Sequence, residues 1–346
     1  MSDLLLPASS SSSSTTNLSG SNQPNQPRNH KRHKTTHPPP SSLPSVIPHE
    51  QHERHLQLRT LVSTDISNGR ERFPIPCVND IDKERAPKFK YILRPVPRSQ
   101  SVALALSSCE HTKCNCREGD CNNPRNCACA FDNQTHSHMP RDHTLTYIDV
   151  PVIRECSTLC PCHSGRCPNR VVGNGICVQL EVFKTQNCGW GVRAAQDIPQ
   201  NTFIAEYSGE ILSHDEAEAR KSTSGKDGND SYFLETETLD ELHRRFPADG
   251  SPGEDFDTKY VLDAKRFGNV ARFFNGSCSP NVRKEKVIDR NSEAYPVRLA
   301  FYAKREIKKG EELCWNYEYN KTTQRGSLDH HLTCYCGALN CQGVLY

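Results

Sequence analysis

Eighteen of the 346 residues are cysteine, and their spacing is the first sign of chemistry. Nine fall in one array: Cys114-x-Cys116-x4-Cys121-x5-Cys127-x-Cys129, then Cys156-x3-Cys160-x-Cys162-x4-Cys167. Thiols so close in sequence, in a chain expected to stay in a reducing compartment, read as metal ligands before disulfides. Zinc takes four tetrahedral ligands and is well matched to thiolate. Nine thiols cannot complete a whole number of mononuclear sites. Six terminal and three bridging thiolates would complete three zincs. Two separate four-thiolate sites with one spare thiol fit the spacing about as well. Near the C-terminus Cys334-x-Cys336-x4-Cys341 offers three more ligands. The fourth must come from elsewhere, and a histidine such as His331 is one candidate.

Other residues frame these clusters. Only 34% of the chain is hydrophobic and 24% is charged, which suits a protein with a large loop-rich or unfolded fraction. Net charge is +2, so there is no global basic field, and direct nucleic-acid binding is left open. No apolar run reaches the length of a membrane span, and no signal peptide is evident, so no membrane partner is expected. Residues 1–70 are Ser/Thr-, Asn/Gln- and Pro-rich and read as a disordered low-complexity tail. Its basic stretch at 28–34 reads either as a nuclear-import or nucleic-acid patch or as a solvated segment.

Residues 71–108 contain short extended stretches that cap a domain. Residues 109–170 hold ten cysteines and few apolar residues, so metal must take the place of an apolar core there. Residues 171–320 alternate short Val/Ile/Phe/Tyr runs with Gly, Asn and Asp, which predicts many short strands and a mainly β (α+β) fold. One helix is expected over 213–221, where Ser213 and Glu216 make a capping box. Residues 222–258 are polar and acidic and read as a surface insertion. Residues 321–346 form the C-terminal cysteine region.

Downstream of the array stand Gly189-Trp190-Gly191, then Tyr207-Ser208-Gly209-Glu210, then Asp230-Ser231-Tyr232-Phe233. A long stretch ending Arg272-Phe273-Phe274-Asn275 follows, then Gly310-Glu311-Glu312-Leu313-Cys314-Trp315-Asn316-Tyr317. Glycines allow close backbone approach to a bound cofactor, and an aromatic ring beside them favours a cationic one. In this order, after an array ending Cys167-Pro168-Asn169-Arg170, the motifs resemble those of the SET-domain methyltransferases that modify histone H3 at lysine 9.

The resemblance covers residues 109–346. It implies a SET β-fold with a threaded C-terminal segment, flanked by a pre-SET zinc cluster (109–170) and a post-SET zinc site (321–346). It also implies methyl transfer from S-adenosylmethionine to a lysine, with the histone H3 tail and chromatin proteins as partners. The setting it implies is nuclear and chromatin-associated, in heterochromatin formation and gene silencing. By the same resemblance the nine-cysteine array holds three zincs, and Cys278 joins Cys334, Cys336 and Cys341 on a fourth. Tyr317 becomes the catalytic phenol, with Tyr207 and Tyr232 lining the lysine channel. Gly189, Trp190, Gly191, Tyr232, Arg272, Asn275, Gly276 and Tyr317 contact the cofactor, and Trp315 limits how many methyl groups fit. Cys109 has no place in the array. One departure is chemical: Gly276 stands where the family has histidine. A non-catalytic chromatin scaffold that binds histone tails is therefore the competing reading, and cofactor binding separates the two.

Overall fold

A computed structural model describes residues 60–108, 113–116, 121, 127–129, 152–162, 167–223, 232–245, 253, 258–289, 296–317 and 333–344. The tail before residue 60 with its basic stretch, Cys109, His331 and parts of the polar insertion lie outside the described residues.

The first strands are β1 Leu61–Ser63, β2 Cys77–Val78, β3 Lys90–Tyr91, β4 Val96–Pro97 and β5 Ile153–Arg154. Then come β6 Leu180–Lys184, β7 Trp190–Ala194, β8 Phe203–Glu206, β9 Glu210–Ser213, β10 Phe233–Thr236 and β11 Tyr260–Asp263. The last are β12 Phe267–Gly268, β13 Asn275–Gly276, β14 Val282–Ile288, β15 Arg298–Ala303 and β16 Cys314–Trp315. They form three four-stranded sheets, β1-β2-β6-β7, β10-β11-β9-β4 and β5-β14-β15-β8, and two parallel pairs, β3-β12 and β13-β16. Two of the short apolar runs within residues 171–320 are β8 and β15, both buried on both faces.

The segment before the zinc array is woven in rather than laid on top. Strands β2, β3 and β4 each add in parallel to a later strand, β6, β12 and β9. Ile75, Cys77 and Tyr91 thereby enter the main core beside Val192, Ile204 and Phe301. Order also begins earlier than the expected tail boundary at 70. The Asp65 carboxylate collects the N–H groups of Ser67, Gly69 and Ile75 at 2.7–2.9 Å, and Leu61 pairs with Val78. These bonds hold the Asp65 carboxyl below its usual range against the effect of burial.

Three α-helices are described. The expected capping box is present at α2 (His214–Thr223): Ser213 N–H meets Glu216 Oε2 at 2.9 Å, and Glu216 N–H meets Ser213 Oγ at 3.2 Å. Helix α1 (Gln100–Ser107) was not foreseen; Ser99 caps it, and it buries Val102 and Leu106, one turn apart. Helix α3 (Leu239–Arg245) stands inside the stretch read as a polar insertion. It too starts from a capping box, Thr238 with Glu241. The signal was in the sequence, hidden by the acidic composition around it.

A buried ion network joins two of these regions. The Arg298 guanidinium donates to both Glu206 carboxylate oxygens at 2.8 and 2.6 Å and to Asp289 at 3.1 Å. Glu155, next to zinc-array Cys156, turns its carboxylate onto the N–H groups of Val171, Val172 and Gly173 at 2.8–3.0 Å. Burial still pushes its carboxyl upward, the cation of Arg298 working against that. Replacing Arg298 by Met strands the buried Glu206 carboxylate and leaves Asp289 with Arg94 alone, 3.4 Å away. The expected loss is about 3 kcal/mol, or roughly 6–12 °C in thermal midpoint. Adding Glu206→Gln should recover part of it, and calorimetric melting of the single and double variants checks this.

Candidate cofactor cradle, aromatic channel and zinc sites

The Gly189-Trp190-Gly191 motif sits where a tight loop enters β7. Thr185 closes the loop: its N–H and its hydroxyl both donate to Gly189 O (2.8 and 2.9 Å), and its Oγ1 accepts Cys188 N–H at 2.9 Å. Gly189 has φ +67°, a left-handed conformation costly for any residue with a Cβ. A Cβ on Gly191 would lie 2.7 Å from Glu312 Oε1, 2.9 Å from Thr185 Cγ2 and 3.2 Å from Asn275 Nδ2. Three segments therefore converge on bare backbone. Asn275 Nδ2 bridges two of them, donating to Trp190 O at 3.3 Å and Glu312 Oε1 at 2.8 Å. Burial raises the Glu312 carboxyl, and the Asn275 bond opposes it. A cavity of about 420 Å3 opens beside this cradle, with Thr185, Cys188, Phe183, Glu312 and Tyr335 among its lining residues.

Next to the cradle is an aromatic cluster. Rings of Phe301 and Trp315 lie 5.0 Å apart, Trp315 and Tyr317 5.2 Å, Phe274 and Phe301 5.2 Å, and Tyr207 and Phe301 6.4 Å. The Phe274 carbonyl accepts both Trp315 Nε1 and Tyr317 Oη, each at 3.2 Å. Tyr207 Oη donates to Tyr232 O at 2.8 Å. Burial raises the Tyr207 phenol well above its ordinary value, so it stays neutral. Gly209 is needed here, since a Cβ would strike the Asp263 carbonyl at 2.7 Å.

The predicted site residues thus gather around one seam, with differing roles. Tyr207, Tyr232, Trp315 and Tyr317 belong to the aromatic side; Gly189, Trp190, Gly191 and Asn275 belong to the cradle. Gly276 contributes backbone, pairing with Trp315 across β13-β16, and Ser277 N–H adds a bond to Trp315 O at 3.0 Å. Arg272 turns its guanidinium toward the carbonyls of Ala264 (2.9 Å) and Lys265 (3.4 Å) and stacks 4.0 Å from the Tyr232 ring. Its place is behind Tyr232. Sequence reading missed Phe274, Phe301 and the bond that Asn275 donates to Glu312. A carbonyl acceptor and a core phenylalanine carry no signal in one sequence.

The nine array cysteines form one buried cluster, none more than 6% exposed. Eight of their sulfurs, all but that of Cys167, group into three overlapping tetrads, each with all four atoms within 4.8 Å of one another. Cys114 belongs to all three tetrads, and Cys121 and Cys156 to two each. Neighbouring sulfurs are 3.6–3.9 Å apart, close to the about 3.8 Å edge of a tetrahedron with Zn–S bonds near 2.3 Å. Sharing of sulfurs between tetrads favours bridging thiolates over two separate mononuclear sites. A fourth tetrad is Cys278, Cys334, Cys336 and Cys341, complete without a histidine. The Gln342 and Gly343 N–H groups point at the sulfurs of Cys278 (3.5 Å) and Cys341 (3.4 Å), as thiolate ligands require. Both donor sets fit zinc. Among the described residues no helix is long and apolar enough to cross a membrane.

Comparison with known proteins agrees with this geometry. Residues 67–170 match the Pre-SET motif and residues 189–318 the SET domain. The chain is 35% identical over 307 residues to an Arabidopsis thaliana protein named histone-lysine N-methyltransferase, H3 lysine-9 specific SUVH6, covering 83% of this chain and 36% of that one. It is 31% identical over 286 residues to the H3 lysine-9 specific histone-lysine N-methyltransferase of Schizosaccharomyces pombe, covering 79% of this chain and 55% of that one. The crystal structure of SUVH6 in complex with SAM superposes with a TM-score of 0.65 at 32% identity, over 88% of this chain and 61% of that one. KRYPTONITE in complex with mCHH DNA, H3(1-15) peptide and SAH gives 0.65 at 28%, over 83% and 54%. The chain therefore spans roughly a third to a half of these two curated relatives.

Proposed function

Because the chain belongs to the SET-domain proteins that carry a Pre-SET motif, we propose that it is a protein lysine N-methyltransferase acting on the histone H3 tail, at lysine 9. The observation that carries this is the junction at Phe274 and Asn275. One residue's carbonyl holds the channel rings Trp315 and Tyr317, and the next residue's amide holds the cradle at Trp190 and Glu312. Donor and acceptor sites are thus joined back to back by two consecutive residues.

S-adenosylmethionine, when bound, supplies the methyl group and a sulfonium charge. Gly189, Trp190, Gly191 and Asn275 would hold it, with Gly276 adding backbone. The substrate lysine enters between Tyr207, Tyr232 and Tyr317. In water its amine is mostly protonated, with a pKa near 10.4, and cannot attack. Buried Tyr207 and the partly buried rings of Tyr232 and Tyr317 limit water around Nζ and disfavour the ammonium form, so Nζ gives its proton to bulk water before transfer. The Tyr317 hydroxyl orients the lone pair. Trp315 bounds the space for methyl groups; its one polar atom is engaged with Phe274 O, so it presents only ring. The nine array cysteines would hold three zincs, and Cys278, Cys334, Cys336 and Cys341 one more, tying the C-terminal segment to the loop that follows Asn275 and Gly276. A nuclear, chromatin-associated role in gene silencing follows from the H3 tail as substrate.

Gly276 favours a second reading, a chromatin scaffold with a weakened cofactor site. A mass-detected methyl-transfer assay on an H3 tail peptide separates them. Wild-type turnover at lysine 9 is the expected result. No wild-type turnover, with activity restored by Gly276→His, would give the scaffold reading precedence.

A further inference from the structure

The turn at 79–84, ahead of the zinc array, has no part in the chemistry so far. It is nevertheless built with care. Asn79 is 2% exposed, and its Oδ1 accepts the N–H groups of Ile81 and Asp82 at 3.0 and 3.1 Å. Its Nδ2 donates to Asp82 Oδ1 (2.8 Å) and Glu84 O (2.9 Å), and Asp82 Oδ1 takes Glu84 N–H at 2.8 Å. A buried asparagine that satisfies four partners inside six residues fixes where the turn ends, and it ends on Glu84.

The turn leaves β2 right after Val78, which is in register with Phe183 on β6. The next residue of β6, Lys184, is in register with Trp190 on β7. Lys184 and Trp190 are therefore the two posts of the loop 185–189 that forms the cradle. Glu84 holds both. Its Oε1 accepts Trp190 Nε1 at 2.9 Å, and its Oε2 pairs with Lys184 Nζ. Asp82 lies 3.7 Å from the same ammonium, which in turn stands 5.5 Å from the Trp190 ring centroid. Trp190 is thus fixed on its side chain by Glu84 and on its carbonyl by Asn275.

We propose that Glu84 is a positioning residue for the cofactor, stapling both posts of the 185–189 loop from outside the SET segment. The proposal rests on the reading of the cradle as the S-adenosylmethionine site. Removing the staple loosens the loop and the Trp190 ring before any cofactor arrives. Binding then has to order both, so affinity for the cofactor falls while the chemical step and peptide binding are untouched.

The test compares wild type, Glu84→Ala and Glu84→Gln. Glu84→Ala should weaken S-adenosylmethionine binding in calorimetry about fivefold, the worth of one partly exposed hydrogen bond to a charge. KM for cofactor should rise in step, with kcat and KM for H3 peptide within twofold. Glu84→Gln keeps an oxygen for the indole N–H and should recover most of the loss. The side chain is half exposed, so melting temperature should hold. In a Trp315→Phe background Trp190 is the only indole of two, and acrylamide quenching of the cofactor-free protein should increase in Glu84→Ala. Unchanged quenching and unchanged cofactor affinity in Glu84→Ala would overturn the proposal. So would an equal loss in kcat and both KM values with a lowered melting temperature, which marks a merely structural residue. If the wild type binds no cofactor, the cradle reading itself falls, and the cofactor role of Glu84 with it.

Discussion

Tyr317→Phe is expected to lower kcat at least about 100-fold while cofactor affinity, H3-peptide affinity and melting temperature stay near wild type. Only one oxygen is removed. The phenol donates to Phe274 O at 3.2 Å, and Trp315 Nε1 shares that acceptor at 3.2 Å, so no buried carbonyl is stranded. Ring packing against Trp315 at 5.2 Å survives. The loss therefore falls on the reacting amine, whose orientation the hydroxyl supplies. Tyr207→Phe is the contrast: its hydroxyl is spent on Tyr232 O at 2.8 Å, and Ala264 N–H also meets that carbonyl at 3.2 Å. Single-turnover kinetics with both variants decide the matter. Turnover of Tyr317→Phe within fivefold of wild type would remove Tyr317 from the catalytic role.

Stripping zinc should have the second large effect, and it should come in two stages. The C-terminal tetrad is partly exposed at Cys278, Cys336 and Cys341, so its metal leaves first. Activity should be lost at that stage with most of the fold intact, because the segment beside the cradle, including Tyr335, loses its anchor. The nine-thiol cluster gives up its metal only under harsher chelation. Among the described residues, no apolar side chain other than the cysteines belongs to their cluster. Structural zinc contributes on the order of 10 kcal/mol or more, so its loss is unfolding.

The damage should then spread into the SET core. Asn169 donates to Cys156 Sγ at 3.5 Å, Arg170 to Cys156 O at 3.2 Å, and Glu155 N–H to Ile288 O at 2.7 Å on β14 of the β5-β14-β15-β8 sheet. Metal-to-protein ratio, near-UV circular dichroism and activity, followed together during chelation, test this order. Cys278→Ser should reproduce the first stage and Cys156→Ser the second. Full activity after complete removal of zinc would refute the account.

Much of this was written locally. Ligand spacing from Cys114 to Cys167, the Ser213–Glu216 box and the order of the Gly-, Tyr- and Asn-bearing motifs depend on residue type and separation along the chain. A single sequence records both. The positions of β8 and β15 were legible for the same reason, since a strand buried on both faces shows as an unbroken apolar run.

Tertiary structure alone decided the rest, because the deciding partners lie far apart in sequence. Glu84 is 106 residues from the Trp190 it holds, and Arg298 is 92 from Glu206. Parallel addition of β2, β3 and β4 to later strands cannot be read from strands two residues long. The choice between separate zinc sites and one pooled cluster needed the sulfurs in space. Residue types determine which chemistry is available to this chain. Which carbonyl takes Tyr317, which carboxylate takes Trp190 and which thiols are shared are settled only when packing removes water and each polar group must find its partner.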